Sequence, residues 1–375
     1  MNPYEAIGLP NVINGAGKMT YLGSSAIAPD VVEKIGLVAQ NYVDMEAMKP
    51  AVGRLAAEKI GAEHACITSC CAAGIAISVA SVLTGKDLCK IEALPKVDWF
   101  PKKVVIQKGH MVNFGANISQ AISLAGADIE EIGTVNVTKE EHLLSALKNA
   151  AAVVFVVSHH AVFNGMLSLQ KTIELAHGEG VPVIVDAAAE TDLKKYAQSG
   201  ADLVVFSGHK AIGGPTSGII VGKTDRIAAC QMQDKGIARM MKVGKENIMG
   251  LYFALEQYCE VPAKVQEENC RKRTERLKAL LTGLPGVETE IAWDGTRPIP
   301  RTLLRLTPKA KYNAKQLIAL LESGNPSIRT RNHSADEGII QFDPRELKDS
   351  DLEVIARRME ELMGDKEASY DGVIS

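Results

Sequence analysis

The chain has no excess of positive charge: Lys and Arg together number 42 against 45 Asp and Glu, a formal net charge of −3. A phosphate backbone would meet no global attraction, so extensive nucleic-acid binding would need a local basic patch. The one dense basic run, Arg271-Lys272-Arg273 with Arg276, lies in a Glu-rich helical stretch and reads as a solvated helix face. No apolar run reaches membrane-spanning length, and Met1-Asn2-Pro3-Tyr4-Glu5 lacks the basic start and apolar core of a signal peptide. A cytoplasmic protein with no membrane or nucleic-acid partner is expected. The seven cysteines (Cys66, Cys70, Cys71, Cys89, Cys230, Cys259, Cys270) show no zinc-type pair spacing. Reduced thiols are expected, with no disulfide framework and no metal site. Internal repeats and low-complexity segments are missing too.

What is present is length and apolar content: 375 residues, 46% hydrophobic, enough for one large cored domain and a smaller second one. From about 60 to 225, short apolar runs alternate with helical patterns. Strands are expected over Ala65–Ser69, Lys103–Gln107, Ala151–Ser158, Val181–Ala187, Ala201–Ser207 and Ser217–Gly222. Several are continuously apolar, which suits strands covered on both faces in a mostly parallel sheet. Helices are expected over Ala72–Leu83, Asn113–Leu124, Lys139–Leu147 and Leu169–His177. A polar helical stretch, about Asn247 to Leu281 with a break near Pro262, reads as a connection. Strand patterns at Val287–Trp293, Arg301–Leu306, Ser327–Arg331 and Gly338–Phe342, with helices near Lys315–Leu321 and Asp351–Met363, predict a small α+β domain. The expected division is an N-terminal segment (1–50), a large domain (51–250), a connecting helix (251–282), a small C-terminal domain (283–366) and a loose tail (367–375).

Three places carry chemistry. Val183-Ile184-Val185 delivers Asp186 at the carboxyl end of a strand, where ligands gather in open α/β sheets. There a carboxylate can keep a pyridine nitrogen protonated; taken alone, it reads first as a cap of the helix that follows. A second strand runs into Ser207-Gly208-His209-Lys210, followed by Gly213-Gly214-Pro215, placing a lysine where its amine can be desolvated for Schiff-base chemistry. Ser207 and His209 could contact a cofactor phosphate or pack beside it. Upstream, Ser69-Cys70-Cys71-Ala72-Ala73-Gly74 forms a strand, turn and helix start whose free N–H groups make a phosphate cradle, or else an ordinary capped turn. Cys70 and Cys71 read as small residues that permit close approach. His110 follows a strand and could stack on a pyridine, as could Phe114. Ser158-His159-His160 ends another buried strand and suits substrate or cofactor contact, since a metal site would lack a third ligand.

At these positions the chain resembles fold-type I pyridoxal-5′-phosphate (PLP) enzymes, and more narrowly the branch around L-seryl-tRNA selenium transferase. The likeness runs over nearly the whole chain. It passes through Val12-Ile13-Asn14-Gly15-Ala16-Gly17, Leu22-Gly23-Ser24-Ser25, the turn after Thr68, Val185-Asp186, and Ser207-Gly208-His209-Lys210 with Gly213-Gly214-Pro215. Within that branch, Gly109-His110-Met111-Val112-Asn113-Phe114-Gly115 and Lys242-Val243-Gly244-Lys245-Glu246 are similar to ammonia-lyases of phosphorylated amino sugar acids.

The resemblance implies an α/β, aspartate-aminotransferase-like fold with PLP on Lys210. It implies loss of water from Cα and Cβ followed by deamination, Lys210 removing the Cα proton and Asp186 supporting the ring. An anionic substrate would meet Arg331 or Arg329, with Lys245, His159 and His160 as further contacts; Arg329 and Arg331 could equally form a solvent-facing edge. A homodimer or higher homo-oligomer is implied. Other readings are a PLP lyase, aldolase or transferase acting on a small amino acid, or a tRNA-dependent selenium transferase relative. Two departures weigh against full carry-over: Ser-Cys-Cys stands where many relatives have a glycine after the serine, and the tRNA-holding N-terminal domain is not expected here.

Overall fold

The computed structural model describes residues 2–293 and 299–364, so the expected tail lies outside the described residues. Residues 27–260 form one compact unit; the first 26 residues and those from Val261 onward form the other.

In chain order the strands are β1 (Val12–Asn14), β2 (His64–Thr68), β3 (Lys103–Gln107), β4 (Asp128–Ile132), β5 (Ala150–Val156), β6 (Val183–Asp186), β7 (Leu203–Ser207), β8 (Gly218–Gly222), β9 (Val287–Trp293), β10 (Pro300–Leu306), β11 (Ser327–Arg329) and β12 (Ile339–Phe342). The helices that matter for the site are α1 (Pro29–Gln40), α2 (Met45–Ile60), α3 (Cys71–Thr84), α4 (Leu88–Ala93), α5 (Ile118–Ser123), α6 (Glu140–Leu147), α7 (Leu169–Gly178), α8 (Leu193–Ala197), α9 (Thr224–Met232) and α10 (Lys245–Glu260).

The larger unit holds a seven-stranded sheet in the order β2-β8-β7-β6-β5-β3-β4. The strands from β7 through β4 pair in parallel, whereas β8 runs antiparallel to both β7 and β2. The continuous apolar runs are explained by cover on both faces. Along each strand alternate residues divide between two cores: Val153, Phe155, Val183, Val185, Val204 and Phe206 on one side, Val154, Val156, Ile184, Leu203, Val205 and Ile220 on the other. Helix α3 lies wholly within the second layer. Its small residues let it sit close to the sheet, and a Cβ at Gly74 would stand 2.6 Å from Val205.

The expected helix over 113–124 is shorter than the pattern predicts: Asn113 and Asn117 bridge antiparallel, the Asn113 side chain accepts from the Gly115 N–H, and the helix begins only at Ile118. Strand β4 was not expected; it is an edge strand paired only with β3. In the smaller unit β12-β10-β9 form an antiparallel sheet, and β1 pairs in parallel with β11. No helix among the described residues is long and apolar enough to cross a membrane.

Candidate active site

The parallel strands of the larger unit deliver their last residues to one edge, and the sheet order sets β6 beside β7. Asp186 ends β6 and is buried, 6% exposed. Its Oδ1 accepts from the Ala188 N–H at 3.1 Å and from the Cys71 thiol at 3.6 Å. Burial pushes the Asp186 carboxyl above its ordinary value, opposed by the Ala188 N–H, the Lys210 side chain and the Cys71 thiol. Lys210 is half-buried three residues beyond β7 and close enough to act on the charge of both Asp186 and Cys71. The larger unit therefore brings together Asp186, Lys210 and the start of α3.

That start is built by a turn in which Thr68 Oγ1 donates to the Cys70 carbonyl at 2.9 Å. Cys70, and not Ser69, caps α3, its sulfur accepting from the Ala73 N–H at 3.4 Å. The N–H groups of Cys71 and Ala72 at the first turn have no acceptor within the described chain, which leaves them with the helix dipole as an anion site. Strand β8 passes so near that a Cβ on Gly218 would fall 2.6 Å from the Cys70 carbonyl carbon. The loop carrying Lys210 is similarly tight. A Cβ on Gly208 would lie 2.1 Å from Ser217 Oγ, Gly208 N–H donates to the Ser217 carbonyl at 2.8 Å, and Gly214 N–H donates to the Gly208 carbonyl at 2.8 Å. Ser207 is buried at the end of β7 and His209 half-buried beside Lys210.

His110 is wholly buried, 0% exposed, and meets Phe155 edge-on at 4.5 Å and Phe163 at 5.8 Å. Its Nδ1 accepts from the Val156 N–H at 3.2 Å, so the proton sits on Nε2, which is buried and has no partner among the described residues. Burial pushes the ring down to about 4, keeping it neutral. No ring face of His110 is open as the chain stands, whereas Phe114 is part-exposed. His159 and His160 are exposed in the turn after β5, their rings 3.9 Å apart.

Lys245, expected as a substrate contact, donates its ammonium to the carbonyls of Val38 (2.6 Å) and Ala39 (2.9 Å) at the end of α1 and pairs with Glu246 at 3.2 Å. The negative end of the helix dipole accounts for this placement. Arg239 and Lys242 are exposed. In the smaller unit Arg329 Nη1 pairs with Glu322 at 3.2 Å, and Arg331 Nη1 reaches the Ala16 carbonyl at 3.5 Å. Both act on the charge of Tyr21, whose hydroxyl is pushed up first by burial and then by Glu322.

Two features escaped sequence reasoning. Glu190 lies near enough to raise Asp186 further and accepts from the Tyr196 hydroxyl at 3.0 Å. Gln107 staples the loop after β5, its amide donating to the Leu167 carbonyl (3.1 Å) and accepting from the Leu167 N–H (2.8 Å).

A buried carboxylate whose burial the chain only partly offsets, an adjacent lysine and an open helix N-terminus fit a cationic ring bearing a phosphate. The fold is that of fold-type I PLP enzymes: serine palmitoyltransferase, for example, matches with a TM-score of 0.57 at 13% identity over 94% of this chain and 86% of its own. The family model of L-seryl-tRNA selenium transferase (SelA) matches residues 12–291, and the chain belongs to that family. Within it, the chain is 38% identical to D-glucosaminate-6-phosphate ammonia lyase of Salmonella typhimurium (strain 14028s / SGSC 2262), over 96% of this chain and 98% of the relative. A solved D-glucosaminate-6-phosphate ammonia-lyase superposes with a TM-score of 0.90, covering 97% of this chain and 99% of its own at 38% identity. The chain is also 39% identical to 5′-C-glycyluridine monooxygenase-decarboxylase of a Streptomyces species, over 99% of this chain and 94% of the relative.

Proposed function

We propose that this protein is a PLP-dependent ammonia-lyase that converts D-glucosaminate 6-phosphate to 2-keto-3-deoxy-6-phosphogluconate and ammonia. The observation that carries the reading is the end-to-end likeness to the ammonia lyase, 38% identity with a TM-score of 0.90. Bound PLP supplies an electron sink for the pair left at Cα when its proton departs. Lys210 would hold the cofactor through Nζ, and the same amine would take the Cα proton. Asp186 balances a protonated ring nitrogen through its carboxylate. The N–H groups of Cys71 and Ala72, with the Ser69 hydroxyl, receive the cofactor phosphate, bordered by Cys70, Ser207 and His209. Neutral His110 supports the ring's surroundings. Arg331, Arg329, His159 and His160 are the groups assigned to the substrate's carboxylate, hydroxyls and phosphate.

The atoms balance simply. Cα loses a proton and Cβ loses hydroxide, together one water; the resulting enamine becomes an imine, and one water returns as ammonia leaves. Incubation with D-glucosaminate 6-phosphate should release ammonia and 2-keto acid in equal amounts; protein that retains PLP yet gives neither overturns the proposal. The same reading makes the protein a cytoplasmic homo-oligomer with no nucleic-acid partner.

A second reading rests on the 39% identity to the monooxygenase-decarboxylase. It is separated by oxygen: the lyase works equally well without dioxygen, whereas the alternative consumes dioxygen and releases carbon dioxide from 5′-C-glycyluridine.

A further inference from the structure

Asp186 presents its two oxygens unequally. Oδ1 takes both donors the chain offers, the Ala188 N–H at 3.1 Å and the Cys71 thiol at 3.6 Å. Oδ2 takes none of the hydrogen bonds found among the described residues. Two donors converging on one oxygen fix the rotation of a carboxylate at a strand end, leaving the other oxygen for a ligand donor. One of those donors is backbone and unavoidable. The other is a side chain 115 residues away in sequence, at the first position of α3, the helix whose N-terminus forms the anion site.

The geometry points to Cys71 as a positioning residue for Asp186: its thiol turns the carboxylate so that Oδ2 faces the cofactor, and it ties that carboxylate to the phosphate-binding helix. The inference rests on the PLP reading above and deepens it. A 3.6 Å contact suits sulfur, and the Val205 carbonyl, at 4.0 Å from Cys71 Sγ, is a more distant acceptor for the same proton. The thiol stays protonated, as a donor must. Burial, then the Asp186 charge, push it well above its ordinary value, with Lys210 opposing and Cys70 adding slightly. The other groups acting on Asp186 are Lys210, beyond β7, and Glu190, beyond β6.

The test uses the holoenzyme. The visible absorbance of bound cofactor is titrated against pH in wild type, Cys71→Ala and Cys71→Ser. Loss of the thiol donor should displace the spectroscopic midpoint by about half a unit and lower kcat about threefold with KM nearly unchanged, since a sulfur hydrogen bond to a charge is weak. Cys71→Ser, which keeps a donor, should restore the midpoint. Superimposable titrations of wild type and Cys71→Ala overturn the inference. A second measurement needs no cofactor signal. Asp186→Asn removes the charge that suppresses the thiolate, so alkylation of Cys71, followed by mass spectrometry, should accelerate; an unchanged rate also overturns it. Absence of any cofactor absorbance in the wild type would instead sink the PLP reading, leaving the alkylation experiment to decide the contact.

Discussion

Two side chains carry the proposed chemistry, and each has its own signature. Lys210→Ala should abolish turnover and leave no cofactor that borohydride can fix to the chain, with any remaining PLP held non-covalently by the α3 N-terminus. Asp186→Ala should keep the covalent cofactor but slow Cα proton loss roughly 10²-fold, about 3 kcal/mol, in a single-turnover measurement. An unchanged rate would remove the ring-nitrogen role from Asp186. His110 bears on stability. Its folded value, about 4, lies below the ordinary 6.5 because burial penalises the charged ring, so the unfolded chain binds a proton first as pH falls. Its contribution is complete above pH 6.5 and declines by about 3 kcal/mol as pH falls to 4. Denaturant unfolding across that range should therefore show a flatter pH slope in His110→Phe than in wild type.

At the scale of elements, the sheet owes its alignment partly to Asp202, immediately before β7. Its Oδ2 accepts from the Val183 N–H (2.9 Å) at the start of β6 and meets His177 Nε2 (2.8 Å) in α7, while Oδ1 meets Lys223 Nζ at 3.2 Å. Burial works against the charge, but these partners outweigh it and hold the carboxyl below its usual range. Asp202→Asn should cost about 2 kcal/mol, read as a lower denaturant midpoint with an unchanged m-value. Lys245→Met should cost about 1 kcal/mol by uncapping α1 while leaving KM nearly unchanged, which separates a helix tie from a substrate contact.

The elements legible in the sequence were those whose signal was local. Val183–Asp186 and Leu203–Ser207 announce themselves as apolar runs, and with them the places of Asp186 at one strand end and Lys210 three residues beyond the other. Strand β4, Asp-Ile-Glu-Glu-Ile, did not; at the sheet's edge it has one neighbouring strand, and Lys103 and Lys108 pair with its Glu130 and Glu131. Helix α2 was obscured by Pro50 within it. The tie from Lys245 to α1 was not legible because its partners are backbone carbonyls about 200 residues earlier, and carbonyls leave no trace in a sequence. The Cys71 contact was invisible for the same reason of distance.

For the whole molecule, the consequential pairing joins the two ends of the chain. β1 lies parallel to β11, Ile13 opposite Ile328, so a segment before the larger unit completes a unit that resumes at Val261. The fit is close. Gly17 has φ +85, and a Cβ there would meet the Asp343 carboxylate at 2.8 Å, itself clamped by Arg345 through bonds of 2.9 and 2.8 Å. Gly15 is equally confined, between Phe342 and the Arg329 carbonyl. Gly17→Ala therefore adds both a left-handed backbone penalty and a clash with a buried ion pair, together about 2–3 kcal/mol. That loss belongs to the smaller unit alone, whose core includes Ile13, Ile328 and Phe342. Calorimetry of Gly17→Ala should show an earlier transition for that unit, and limited proteolysis should cut first beyond Val261 while the 27–260 fragment persists. Simultaneous loss of both units at one lowered temperature would mean that they unfold as a single cooperative body, and that the pairing of β1 with β11 stabilises the larger sheet as much as its own.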